Sequence, residues 1–399
     1  MERRYHGWMW ADGAHAPDTK GNWAPDKVEY DSWVASKEAA EGDRQNFRGY
    51  HFTRLPNKQQ MREATSEVVL RGLRPPTAII EPETKVLALG SCFAANFAEW
   101  LARNGYNWER PESCDALLRN PFENVLVVAQ QFRWAFGELD PSNLYWINRE
   151  KERIFATDER RDGMQKLLSD TEVFVITLTL SELWYDKQTG EPLWRVAPMD
   201  MHDPDRHGFK VLSCADTIAA FETIERIRAQ WIPESKIIYT VSPMPLMATF
   251  RNLSPLVASS ASKAIVRASL DEFLRGRDDF NQQYFYFPGY EIVTAMTTDP
   301  FVTDNQHLHD YIIDGVLQLF AETYTSSHLA APKPAWLASI DAGGPIQITL
   351  RENEELKKLC DARLALLESK TNELSAIFRS PIKFLLAVAW DKCLSYCRR

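Results

Sequence analysis

The sequence contains no closely paired cysteines. Its six, Cys92, Cys114, Cys214, Cys360, Cys393 and Cys397, are scattered without a C-x-x-C pair, so neither a zinc ribbon nor a disulfide framework is signalled and a reducing compartment fits best. Basic charge is in deficit. Forty-six Lys and Arg oppose 55 Asp and Glu, for a net charge of -9. With no RNA- or DNA-reading motif present, nucleic acid is excluded as an expected partner. Long apolar runs are missing as well. Nowhere do about 18 apolar residues follow one another, the length a membrane-spanning helix needs. The opening Met1-Glu-Arg-Arg-Tyr-His-Gly-Trp8 has no apolar stretch of the kind a secretory signal carries. A cytoplasmic protein is expected. Internal repeats and low-complexity tracts do not occur. Metal-ligand spacing is confined to His307-x-His309, and adding His202 and His207 would require two loops to converge. No metal and no cofactor are expected.

What is present is enough for a large core: 399 residues, 45% of them hydrophobic, which suggests one large domain with additions, or two domains. Residues 1–78 begin as an irregular arm, with Trp8, Trp10, Trp23 and Trp33 set among Gly, Pro, Asp and Lys. Such rings either staple the arm to a domain surface or stack on sugars. Residues 79–330 carry alternating strand and helix patterns. Past Pro332 and Pro334 the composition shifts to a helical extension over 331–399.

The stretch Val86-Leu-Ala-Leu-Gly-Ser-Cys-Phe-Ala94 reads as a buried strand that stops at a turn and starts a helix. Phe93, Phe97, Trp100 and Leu101 recur at helical spacing until Asn104-Gly105. Further buried strands are predicted at 173–180 and 236–243, the latter ending in a loop with Pro243 and Pro245. A fourth is predicted from Tyr284–Tyr286 and Glu291–Val293, interrupted by Pro288-Gly289. Helices are predicted at 125–136, 216–231 and 260–274, and again beyond Asp310. This alternation predicts a three-layer α/β/α fold with a central, mostly parallel sheet of flavodoxin-like type.

Ser91 therefore falls where a strand hands over to a helix, a place where backbone N–H groups can hold an oxyanion. A serine there either caps the helix or attacks a substrate, and attack requires a base. Asp304-Asn-Gln-His307 supplies one in the form of a carboxylate three residues before an imidazole in a polar turn. His309 competes as base and Asp310 as carboxylate. Cys92 is an alternative nucleophile, although a small buried role is the commoner fate of such a cysteine.

These stretches resemble the GSCFA family, named for the residues that stand here as Gly90-Ser-Cys-Phe-Ala94, within the SGNH (GDSL-type) hydrolase superfamily. Ile176–Trp184, Thr240–Phe250, Ser262-Lys263 and Tyr286–Tyr290 agree with it, over roughly residues 80–325. The resemblance implies a serine esterase or O-acyltransferase with Ser91 as nucleophile, His307 as base and Asp304 as its partner. The oxyanion would be held by the Ser91 N–H, Asn124 and Ser181, and substrate by Glu182 and Trp184 at the end of the second strand. The pattern is imperfect. Glu123 and Thr179 stand where the family or superfamily more often has glycine, and Ser181 where the superfamily has asparagine. A missing oxyanion donor costs roughly 2.7–4 kcal/mol of barrier. The expected substrates are a small-molecule acyl donor and a glycan acceptor, with a polysaccharide O-acetyl group as the target. Alternatives are a lipid or small-ester hydrolase, or a weakened binding protein of the same fold.

The last twenty-one residues, Arg379–Arg399, carry a net +4 around the apolar run Phe384–Trp390. Two readings stay open: a terminal helix packed on its own domain, or peripheral contact with the inner face of the membrane. The heptad-like spacing from Cys360 to Phe378 likewise fits either a helical hairpin or a homodimer contact.

Overall fold

The computed structural model describes residues 44–47, 50–53, 69–90, 92–107, 124–148, 150–297 and 299–326. All of these lie within Met1–Leu337. The N-terminal tryptophans, Ser91, Glu123, the heptad-like segment and the basic tail fall outside the described residues. A two-stranded antiparallel ribbon comes first, β1 (Arg44–Phe47) with β2 (Tyr50–Thr53).

The centre is a four-stranded parallel sheet in the order β3 (Val86–Gly90), β6 (Val173–Leu178), β10 (Lys236–Val241) and β11 (Tyr284–Phe287). All three strand pairs are parallel and in register over their length. Period-two alternation divides each strand between two helical layers. On one face Leu87, Leu89, Phe174, Ile176, Ile237, Tyr239 and Tyr284 form a single cluster. It is shared with α2 (Val125–Ala135), α4 (Cys214–Trp231) and α5 (Pro255–Arg275). On the other, Phe287 meets Phe97 of α1 (Cys92–Arg103) and Phe320 of α7 (Asp310–Tyr324) at ring-centroid distances of 6.3 and 5.4 Å. The predicted three-layer α/β/α fold is thus the observed one. The remaining helices are α3 (Asp158–Asp170) and α6 (Gly289–Met296). Among the described residues no helix is long and apolar enough to cross a membrane.

Two expectations change. Glu291–Val293 is helical, within α6, because Pro288 takes the N-cap position and Gly289 opens the helix immediately after β11. β-branched Ile292 and Val293 suggested a strand, but they are fully buried on a helix face. The segment after Leu180 is also more than a strand end. Residues Glu182–Asp186 form β7, the middle of a three-stranded antiparallel sheet with β8 (Pro192–Leu193) and β9 (His207–Val211).

That smaller sheet is joined by polar bonds to a hairpin of β4 (Tyr145–Ile147) and β5 (Arg153–Phe155). Buried Asp186 takes two N–H bonds from Arg206, at 2.9 and 2.8 Å. The Arg206 guanidinium lies 4.8 Å from the centre of the Tyr145 ring. His207 Nδ1 accepts from the Asp203 N–H at 3.1 Å, so its Nε2 carries the hydrogen that reaches Tyr145 Oη at 2.8 Å. Burial, reinforced by the neighbouring His202, holds the His207 pKa below its ordinary value against the pull of Asp186 and Asp203.

Candidate active site

Every strand of the parallel sheet ends at the same edge, and the loops that follow those ends meet there. β3 closes on Gly90, whose φ of +129° is a conformation L side chains rarely adopt. A Cβ at this position would lie 2.0 Å from the Thr177 carbonyl oxygen. Glycine is therefore what lets the end of β3 lie this close to β6. Ser91 follows it in the chain and lies outside the described residues, as does the Cys92 side chain.

The turn after α6 is built around Asp304. Its Oδ1 accepts the backbone N–H groups of Gln306 and His307, both at 2.9 Å, while Oδ2 is 2.6 Å from His307 Nδ1. Asn305 takes φ +56°, and Val302 and His307 close the loop through a 2.8 Å main-chain bond. The His307 contact, followed by the two backbone N–H groups, lowers the Asp304 pKa to about 2. An Nδ1–H held by this carboxylate leaves Nε2 as the proton acceptor, the tautomer that a general base requires. His309, the competing base, sits at the N-cap of α7 with its ring stacked on Tyr311 at 5.3 Å. Asp304 pairs with His307 and not with His309.

Beside this turn is a cavity of about 300 Å³, whose wall includes Gln306 from within it. That volume is at the lower end of the range for small-molecule sites, ~300–1,000 Å³. Glu182 and Trp184 both line it, as do Thr179, Arg195, Met244 and Phe250. Both Glu182 carboxylate oxygens accept the Thr249 hydroxyl, at 2.8 and 2.9 Å, which ties β7 to the loop after β10. The Trp184 ring packs edge-on against Phe250 at 4.9 Å and against His202 at 5.6 Å.

The expected oxyanion donors are placed differently. Asn124 lines the cavity but is 4% exposed and serves as the N-cap of α2, with Oδ1 accepting the Leu126 N–H at 2.8 Å. Its Nδ2 donates to Leu180 O at 3.0 Å and reaches Glu182 O at 3.5 Å. The side chain thus clasps the β6–β7 connection and is not a free donor. Ser181 is 1% exposed and pairs with Ser262 of α5, hydroxyl to hydroxyl at 2.9 Å. Thr179 lines the cavity, whereas the Ser181 hydroxyl ties the β6–β7 connection to Ser262 of α5. The Thr179 hydroxyl, by contrast, is buried without a hydrogen-bond partner, in a residue that lines the cavity.

Thr179 entered the sequence reading only as a substitute for glycine, and Arg195, Thr249 and Gln306 not at all. Two signals were available: Thr249 and Met244 lie inside the Thr240–Phe250 stretch, and Gln306 lies inside Asp304–His307. Arg195 had none, since its position depends on how β8 pairs with β7 after the Gly190 turn. Among the described residues no group of three or more His, Cys, Asp or Glu could hold a metal ion.

A parallel α/β sheet with a carboxylate–imidazole pair and a cavity at its carboxyl edge describes a broad class of proteins. The GSCFA family model matches residues 85–320, more than half of the chain, and the protein belongs to the GSCFA family. No curated protein matches it.

Proposed function

We propose that the protein is a serine-dependent esterase or O-acyltransferase of SGNH type, acting on a carbohydrate through an acyl-Ser91 intermediate. The observation that carries this reading is the Asp304–His307 pair, set in the same turn as a residue of the cavity wall. In the first step the Ser91 oxygen adds to the acyl carbonyl while His307 Nε2 takes the hydroxyl proton. Asp304, ionised far below neutral pH, stabilises the imidazolium that forms. The tetrahedral oxyanion is met by the Ser91 N–H and the Thr179 hydroxyl. Collapse expels the leaving alcohol, which receives the proton from His307. Water or a sugar hydroxyl then attacks the acyl-Ser91 ester by the reverse sequence. The carbohydrate is a glycan that gives up or receives the acyl group, the compartment is the cytoplasm, and the basic tail brings the enzyme to the inner membrane face.

A second reading has its own observation. Asn124 and Ser181 spend their polar groups on the fold, which favours a protein that binds the same ligand and turns it over slowly or not at all. Fluorophosphonate labelling followed by mass spectrometry of the modified peptide separates the two. Adduct on Ser91 that disappears in Ser91→Ala supports the enzyme. Adduct on Cys92 instead rejects Ser91 as the nucleophile, and no adduct discards the enzyme in favour of the binder.

A further inference from the structure

We propose that the cavity is a subsite for an acidic sugar, one whose ring bears a carboxylate, and that Arg195 is its counter-charge. This deepens the acyl-transfer reading above and rests on it for the carbohydrate.

Three features of the cavity wall lead here. Arg195 is partly exposed, and among the described residues it makes no hydrogen bond or ion pair; its Nε is buried without a partner. A partly exposed guanidinium with no internal acceptor is suited to one brought by a ligand. The carboxylate in the same wall does not take it. Glu182 lines the same cavity, yet its oxygens are turned to Thr249 and form no ion pair with Arg195. A guanidinium fork matches a carboxylate in two parallel bonds, which distinguishes an acid from its neutral counterpart.

Glu182 itself accepts only one hydroxyl hydrogen, shared between its two oxygens. A carboxylate has about four acceptor positions, so it can also receive sugar hydroxyls. Aromatic wall is provided by Trp184, Trp194, Phe209 and Phe250, surfaces suited to the C–H face of a pyranose. A neutral lipid chain would use these rings but would leave Arg195 unmet and the remaining acceptor positions of Glu182 unused. An acidic sugar uses all three: carboxylate on Arg195, hydroxyls on Glu182, ring face on the aromatics.

The test is direct binding to the full chain carrying Ser91→Ala, which cannot acylate, so that affinity is read without turnover. Methyl β-glucuronide, its methyl ester and methyl β-glucoside are titrated by saturation-transfer NMR and calorimetry, each also against Arg195→Gln and Arg195→Lys in the same background. The expected result is about tenfold tighter binding of the glucuronide than of either neutral sugar. Arg195→Gln abolishes that preference, and Arg195→Lys keeps part of it. Equal binding of acid and neutral sugars, binding of neither, or a preference that survives Arg195→Gln overturns the proposal. Unchanged thermal unfolding of Arg195→Lys confirms that the comparison is made on folded protein. The two readings fail separately. An acid preference without fluorophosphonate labelling of wild-type Ser91 removes the chemistry and keeps the subsite, and labelling without the preference does the reverse.

Discussion

The two sheets of this protein are held by different means. β3, β6, β10 and β11 are apolar on both faces, and β6 is buried at every position. In the antiparallel sheet of β7, β8 and β9 half of the residues are only partly buried, and its stability rests also on named polar bonds such as Asp186–Arg206 and Tyr145–His207. The parallel sheet ends at Gly90, just before Ser91, and the Asp304–His307 pair lies in the turn between α6 and α7, while the polar sheet contributes Glu182, Trp184 and Phe209 to the cavity. Fixed geometry suits proton transfer, which fails over fractions of an ångström. A surface that must fit varied substituents can be assembled from adjustable contacts.

The sharpest way to break this division is a pair of substitutions, one on each side. Asp304→Asn leaves the fold intact but removes the charge that supports His307, so kcat on an aryl acetate is expected to fall by about 10³–10⁴-fold. Trp184→Ala on the antiparallel side is expected to raise KM for a glycan ester with kcat nearly unchanged, because it takes away binding shared by ground and transition states. If Trp184→Ala lowered kcat as much as Asp304→Asn, the proposed separation of roles would be wrong.

Next in size is a matched glycine experiment. Gly90→Ala drives a Cβ into the Thr177 backbone, and urea unfolding is expected to show a loss above about 4 kcal/mol, or no folded protein. Gly190→Ala, in the turn between β7 and β8, also has positive φ, +74°, but no atom lies within 4 Å of the added carbon. Its cost is the conformational one alone, about 1 kcal/mol. Similar losses at the two sites would show that close packing is not what makes the parallel sheet the stiffer one.

The smallest expected effect is on pH. The folded pKa of His207 is lowered below 6.5. Above 6.5 both folded and unfolded chains hold it neutral, and its contribution is fully present. As pH falls below 6.5 the unfolded chain takes up a proton that the folded one resists, so stability declines toward the lowered folded value. Urea midpoints measured from pH 7.5 to 5.5 should fall for the wild type and fall less for His207→Gln. An unchanged slope in His207→Gln would remove the histidine from the account.

The same contrast explains what could be read from the sequence. Strands covered on both faces are continuous apolar runs, so Val86–Leu89 and Val173–Leu178 were legible as strands and the layered fold followed. β9 reads His-Gly-Phe-Lys-Val and β8 has two residues; neither has a pattern to find, because their partners and not their composition make them strands. The Asp304–His307 spacing was legible because its bonds are local. The roles of Asn124 and Ser181 were not, since each is decided by a contact far along the chain, with Leu180 and with Ser262 respectively.

Arg206 has one further consequence. Its guanidinium bonds Asp186 and covers Tyr145, whose hydroxyl in turn meets His207, so the β4–β5 hairpin and the β7–β9 pair cannot separate without losing both contacts to Tyr145 at once. In native-state hydrogen exchange the amides of Tyr145–Ile147 and of His207–Val211 should accordingly share one opening free energy, below that of the β6 amides. The protein would then open in two cooperative units, and the one that opens more readily is the one that lines the cavity.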